Sequence, residues 1–81
     1  MPAMILAVPL RDGTKPPWQI LVELTNNDRD VQFAPLESFL PEAARNSRQI
    51  LFWGPQEAME RVLERYGKKC KRDLNLKEWI L

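Results

Sequence analysis

The chain has 81 residues, of which twelve are basic and eleven acidic, giving a net charge of +1. This length fits a single domain spanning residues 1–81 with a modest hydrophobic core, and an apolar fraction of 44% argues against disorder. The longest apolar run is far shorter than the ~20 residues that span a bilayer, so we expect no membrane association.

The residue types that carry most catalytic and metal chemistry are rare in this chain. It has no histidine and one cysteine, Cys70, which excludes an internal disulfide and a structural zinc site within one chain. The carboxylates are scattered along a chain too short for a large cleft. We therefore predict a protein that is not an enzyme and that binds no cofactor or metal ion. The single cysteine favours a reducing, intracellular and cytoplasmic setting.

The first part of the chain predicts strands. Residues 4–10 are largely apolar and predict a first strand, whose edge is open to strand addition by a partner. Residues 18–25 show the clearest alternation of apolar and polar side chains and predict a second strand. The polar stretch at 26–30 predicts a turn, and residues 31–33 predict a third strand. Residues 18–33 would then form a hairpin, and the three strands an antiparallel meander.

A short helical turn is predicted next. Pro35 opens this turn, and Leu36, Phe39 and Leu40 share one side of it. Pro41 ends the turn or starts another that runs through residue 44.

The stretch that follows predicts a strand and the main helix. Residues 50–53 are consecutive and apolar, as is typical of an interior strand. The helix carries one apolar stripe and ends at Gly67, which we expect in the left-handed conformation. The stripe consists of Met59, Val62, Leu63 and Tyr66.

The C-terminal segment predicts one further strand and a last helical turn. Residues 69–74 are the candidate for this strand, which would complete a βαβ unit if it pairs parallel to residues 49–53; the sequence leaves open whether they pair at all. Asn75 is expected to cap a turn with Leu76, Trp79 and Ile80 on one side. Runs of strands followed by a helix indicate the α+β class. We therefore expect a small antiparallel, or mixed, sheet of four to five strands with one main helix packed on one face.

The aromatic residues favour protein binding. Trp18 follows a proline-rich loop, and Trp79 lies in an apolar C-terminal segment. Large apolar residues in such places dock on the core or on a partner, and tryptophan is frequent in interface hot spots. We predict a small non-catalytic protein–protein interaction domain, acting as a subunit, adaptor or inhibitor of a larger complex. Its partner would be another protein or a second copy in a homodimer. The predicted interface residues are Trp18, Leu36, Phe39 and Trp79.

A basic cluster supports nucleic-acid binding as the alternative. Four basic residues occupy five positions just after the main helix: Lys68, Lys69, Lys71 and Arg72. Such a cluster is suited to phosphate groups, and Trp18 or Phe33 on an open sheet face would stack bases. Basic residues also favour helix C-termini for electrostatic reasons, and the sequence contains no known nucleic-acid-binding motif, so this function is the second choice.

Overall fold

A computed structural model describes residues 2–40 and 48–79, so the turn predicted through residue 44 lies outside the described residues, as does Ile80. The elements are β1 Pro2–Pro9, α1 Pro17–Thr25, β2 Gln32–Pro35, β3 Ile50–Pro55, α2 Gln56–Arg65 and β4 Leu74–Trp79. A 3₁₀ turn, Leu36–Ser38, follows β2 as predicted, and a π-helical turn, Tyr66–Cys70, follows α2.

The strands form one antiparallel sheet in the spatial order β2-β3-β1-β4. Because β1 and β2 both pair with β3, helix α1 connects two parallel strands that are separated by a third. Helix α2 connects β3 to β4 past β1 in the same way. This is the split βαβ, or ferredoxin-like, arrangement. The α+β class with a small antiparallel sheet is confirmed. Strand β1 lies inside the sheet, so the predicted edge at residues 4–10 is wrong.

Both helices cover the same face of the sheet, and the core lies between them and the strands. Paired residues of β1 and β3, such as Ile5 and Phe52, point to this face and are fully buried. Each buried side chain of this size contributes about 1.5–3 kcal/mol to folding. The buried cluster consists of Ile5, Ala7, Ile20, Leu24, Val31, Phe52, Ala58, Met59, Val62, Cys70 and Leu74.

The predicted strand at residues 18–25 is a helix, α1. Pro17 stands at its first position, where a missing N–H costs nothing. Asn26 ends the helix in the left-handed conformation with φ of 46°, which asparagine tolerates better than most residues. The predicted hairpin at 18–33 and the three-strand meander are therefore wrong.

The alternating residues of α1 separate into two pairs on opposite sides. In a helix, residues two positions apart point in nearly opposite directions, whereas residues four apart share a side. Ile20 and Leu24 accordingly face the core, and Trp18 and Val22 face solvent. The pattern that predicted one buried strand face thus leaves half of its apolar residues exposed.

The C-terminal segment forms a strand five residues later than predicted. Residues 69–74 do not form a strand paired with β3. The last strand is β4, Leu74–Trp79, which runs in the same direction as β3 but pairs antiparallel with β1, the strand between them. Leu74 is buried and Asn75 is exposed, so this segment follows the period of two. The terminal helical turn predicted from Asn75 is wrong for the same reason.

The main helix is confirmed as α2, but its end differs from the prediction. Ala58, Met59 and Val62 are its buried residues. Gly67 does not terminate the helix in a left-handed conformation, since the chain continues through the π-helical turn and Gly54 is the one glycine with positive φ in the described part of the chain.

Candidate functional site

The outer side of α1 carries two large apolar side chains that the fold leaves uncovered. Trp18 is 67% exposed and Val22 is 61% exposed, and the two are one helical turn apart. We call this pair the α1 surface. The one charged residue of the helix, Glu23, lies outside it and is bound by Lys15, with 2.6 Å between the Lys15 Nζ and Glu23 Oε2 atoms. The α1 surface is therefore apolar and carries no charge.

The sheet face opposite the helices carries a second apolar region. Leu36 and Leu51 are 4% and 5% exposed and lie outside the main core cluster. The Leu36 amide donates to the Gln49 carbonyl at 2.9 Å, which holds the 3₁₀ turn beside β3. Phe39 then packs edge-on against Trp53 with 5.6 Å between ring centroids. This turn thus uses its apolar side chains to cover part of the chain's own sheet.

The four predicted interface residues do not form one surface. Trp18 belongs to the helical layer, whereas Phe39 packs on Trp53, which points to the opposite sheet face. Leu36 is buried and is not available for direct contact in the isolated chain. The backbone of Trp79 pairs with Met4 in β4, and its side chain lies outside the described residues. An interface role stays a prediction for all four residues, and Trp18 is the most exposed of those described.

The predicted stacking platform is absent from the sheet face opposite the helices. Trp18 lies on a helix rather than on the sheet. Phe33 pairs with Phe52, so it points to the face that the helices cover, with 5.8 Å between the two ring centroids. The prediction that these two residues stack bases on an open sheet face is therefore wrong.

The predicted basic cluster is exposed at one end of the sheet. Its four side chains extend from the π-helical turn and the residues after it, and we call this group the basic turn: Lys68, Lys69, Lys71 and Arg72. Lys68 donates to Glu64 at 2.9 Å, in an i,i+4 pair on the surface. The basic turn directly precedes β4, whose first residue, Leu74, pairs with Pro9 at the end of β1.

A buried carboxylate holds the basic turn in place. Asp73 is 2% exposed, and its Oδ1 atom accepts hydrogen bonds from the Thr14 amide, the Thr14 hydroxyl and the Lys15 amide at 2.6, 2.9 and 3.0 Å. Burial alone would raise the pKa of Asp73, but these hydrogen bonds outweigh it and hold that pKa below its usual range. The Lys15 ammonium also donates to the Lys69 carbonyl at 2.6 Å. The loop before α1 and the basic turn therefore form one fixed unit.

The opposite end of the molecule carries an arginine–aspartate cluster. Arg61 binds both oxygens of Asp28, at 2.7 and 3.2 Å, and lies 3.3 Å from Asp30. Hydrogen bonding from Arg61 lowers the pKa of Asp28 to about 2. Arg65 donates to the Leu24 carbonyl at 2.9 Å and so joins α2 to the end of α1. This cluster anchors the α1–β2 loop to α2.

The described residues were also compared with what covalent catalysis, metal binding and membrane spanning require. Cys70 is fully buried, and burial raises the pKa of its thiol to about 11, so the nucleophilic thiolate is scarce at neutral pH. Across residues 2–40 and 48–79, no group of three or more cysteine or carboxylate side chains is placed to hold a metal ion. In the same residues, neither helix has the length and apolarity to cross a bilayer.

Comparison with known proteins assigns the chain to no group. No family model, characterised protein or solved structure matches it. A split βαβ sheet hosts many unrelated functions, so the arrangement alone carries no activity.

Proposed function

We propose that the chain is a small non-catalytic protein-interaction domain that binds its partner through the α1 surface. The observation that carries this proposal is the exposure of Trp18 and Val22 on one side of a short helix. A tryptophan that is two-thirds exposed contributes little to its own fold, and an adjacent apolar residue enlarges the patch. Tryptophan anchors are enriched at the centres of protein interfaces.

The charge distribution around α1 supports a protein partner. Interface centres are depleted of charged residues, and Glu23, the single charge of α1, is already bound to Lys15. A neutral apolar patch is complementary to a similar patch on another protein or on a second copy of this chain. A stable interface buries ~800 Å² on each partner, so neighbouring residues of the same side would also be covered.

The α1 surface is favoured over the Phe39 region for a structural reason. The Phe39 ring already contacts Trp53, so part of its apolar area is used within the chain. The two ends of α1 and the residues that flank it are all described, and none of them covers Trp18 or Val22. We further expect an intracellular, cytoplasmic setting, on the basis of the single cysteine.

The experiment compares a double variant, Trp18→Ser with Val22→Ser, with the wild type and with Leu40→Ser. Leu40 is 44% exposed and serves as a matched apolar control away from α1. Light scattering measures self-association, and affinity capture with quantitative mass spectrometry measures binding of other proteins. We expect a dimer or a saturable partner of the wild type that the double variant loses and the control keeps. A wild type without either kind of partner, or a double variant that keeps its partner, overturns the proposal.

A further inference from the structure

The net charge of +1 conceals a separation of charge between the two ends of the sheet. The register of the strands places the α1–β2 loop and the start of α2 at the end where β1 begins, and the basic turn at the end where β1 stops. The first end carries four acidic residues: Asp28, Asp30, Glu57 and Glu60. Asp28 and Asp30 are paired there with Arg61, and Arg29 lies between them in the sequence. The second end carries the basic turn, together with Arg11 and the neighbouring Asp12. A polyanion approaching this molecule is therefore oriented towards one end.

The positive charge of the basic turn is largely uncompensated. Glu23 and Asp73, two of the acidic residues at this end, face Lys15 at 2.6 and 3.9 Å. Lys68 is paired with Glu64. The remaining three basic side chains are exposed and form no ion pair among the residues that the structure describes: Lys69, Lys71 and Arg72.

The backbone that presents these three side chains is fixed. Cys70 lies between them and is fully buried in the core. Asp73 follows them and is held by Thr14 and Lys15 across the loop before α1. The Leu10 amide donates to the Asp73 carbonyl at 3.0 Å, which ties the turn to the end of β1 as well. A charged turn that is already ordered loses less conformational entropy on binding.

We propose that the basic turn binds the phosphate backbone of double-stranded nucleic acid, without reading its sequence. Duplex nucleic acid offers one negative charge per ~1.7 Å along its axis, so three neighbouring cations can each contact a phosphate group. The turn presents no exposed aromatic side chain for base stacking, since Tyr66 packs against the core. This surface is separate from the α1 surface, so the inference does not depend on the proposed protein partner.

The expected salt dependence follows from the number of contacts. Three phosphate contacts give a slope of about −2.7 in log K against log salt, so affinity should fall about 40-fold between 50 and 200 mM salt. Removing one contact should weaken binding about tenfold at 50 mM salt.

The test measures fluorescence anisotropy of a labelled 20-base-pair DNA duplex of arbitrary sequence with the full chain. The variants are Lys71→Glu and Arg72→Glu, and the control is Arg29→Glu, which makes the same change of charge at an exposed position of the acidic end. Circular dichroism verifies that each variant is folded. We expect the first two to lose about tenfold in affinity and the control to lose less than twofold.

Three results would each overturn the inference. The first is no binding of the duplex at 50 mM salt. The second is an equal loss for Arg29→Glu, because net charge alone would then explain the effect. The third is binding to vesicles that contain phosphatidylserine without binding to the duplex, which would identify a membrane surface as the partner.

Discussion

Because residues 18–25 lie in helix α1, substitutions at two neighbouring positions should differ sharply in their effect on the free energy of unfolding. Leu24 is fully buried, and Leu24→Ala removes a core side chain from between α1 and the sheet. Such substitutions cost about 2–5 kcal/mol, through lost burial and the cavity left behind. Val22 is 61% exposed, so Val22→Ala should change stability by no more than about 0.5 kcal/mol. A strand with alternating faces would bury both residues equally.

Urea unfolding followed by tryptophan fluorescence and circular dichroism measures this difference. A domain of 81 residues is expected to have a total stability of about 4–12 kcal/mol, so the Leu24→Ala loss is a large fraction of it. With a urea m-value of about 1–2 kcal/mol/M, the unfolding midpoint should fall by at least ~1 M. The Val22→Ala midpoint should stay within about 0.5 M of the wild type. Equal losses at the two positions would refute the helix.

Three further predictions concern the fixed ends and the core. Because the pKa of Asp28 is lowered to about 2, its contribution to stability is present above pH ~4 and is lost as pH falls towards 2. The difference in urea midpoint between wild type and Asp28→Asn should therefore close over that range, and a constant difference would contradict the ion pair. The Cys70 thiol, with a pKa of about 11, should resist a disulfide reagent at pH 8 until urea unfolds the chain; rapid reaction of the native protein would refute its burial. Gly54→Ala should destabilise by about 1–3 kcal/mol because the new carbon would overlap the Asp30 carbonyl oxygen, whereas Gly67→Ala has open space and should be neutral or stabilising in the same urea assay. A tolerated Gly54→Ala would show that this close approach is not required.

The parts of the fold that could be predicted have local signals. Strand β3 is an unbroken apolar run, and the apolar stripe of α2 repeats at the helical period over more than one turn. Helix α1 could not be predicted from its alternation, because a short segment with apolar residues at every second position also places two of them one helical turn apart. The two ends of α1 do carry helix signals. Proline favours the first position of a helix, where Pro17 stands, and asparagine tolerates the left-handed conformation that ends a helix, which Asn26 adopts.

The sequence predicts a candidate surface when its residues are adjacent in the chain, but not when their placement depends on the order of the strands. The exposed basic turn could be located because its residues are adjacent in sequence. Grouping Trp18 with Phe39 failed because the side of the sheet on which each lies depends on the whole strand order. The carboxylate that fixes the basic turn was also missed, since Asp73 and its partner Thr14 are 59 positions apart and neither belongs to a recognisable motif.

Site-specific photo-crosslinking in the cells that produce the protein tests most directly whether the α1 surface binds another protein. A benzophenone amino acid replaces Val22, which leaves Trp18 in place, and a control replaces Glu60, an exposed residue on α2. If the α1 surface binds a protein, we expect a discrete covalent adduct from position 22, with a second copy of the chain or with another protein. We expect no adduct from position 60. An absence of adducts at position 22, or the same adducts from both positions, would contradict a protein-binding role for this surface.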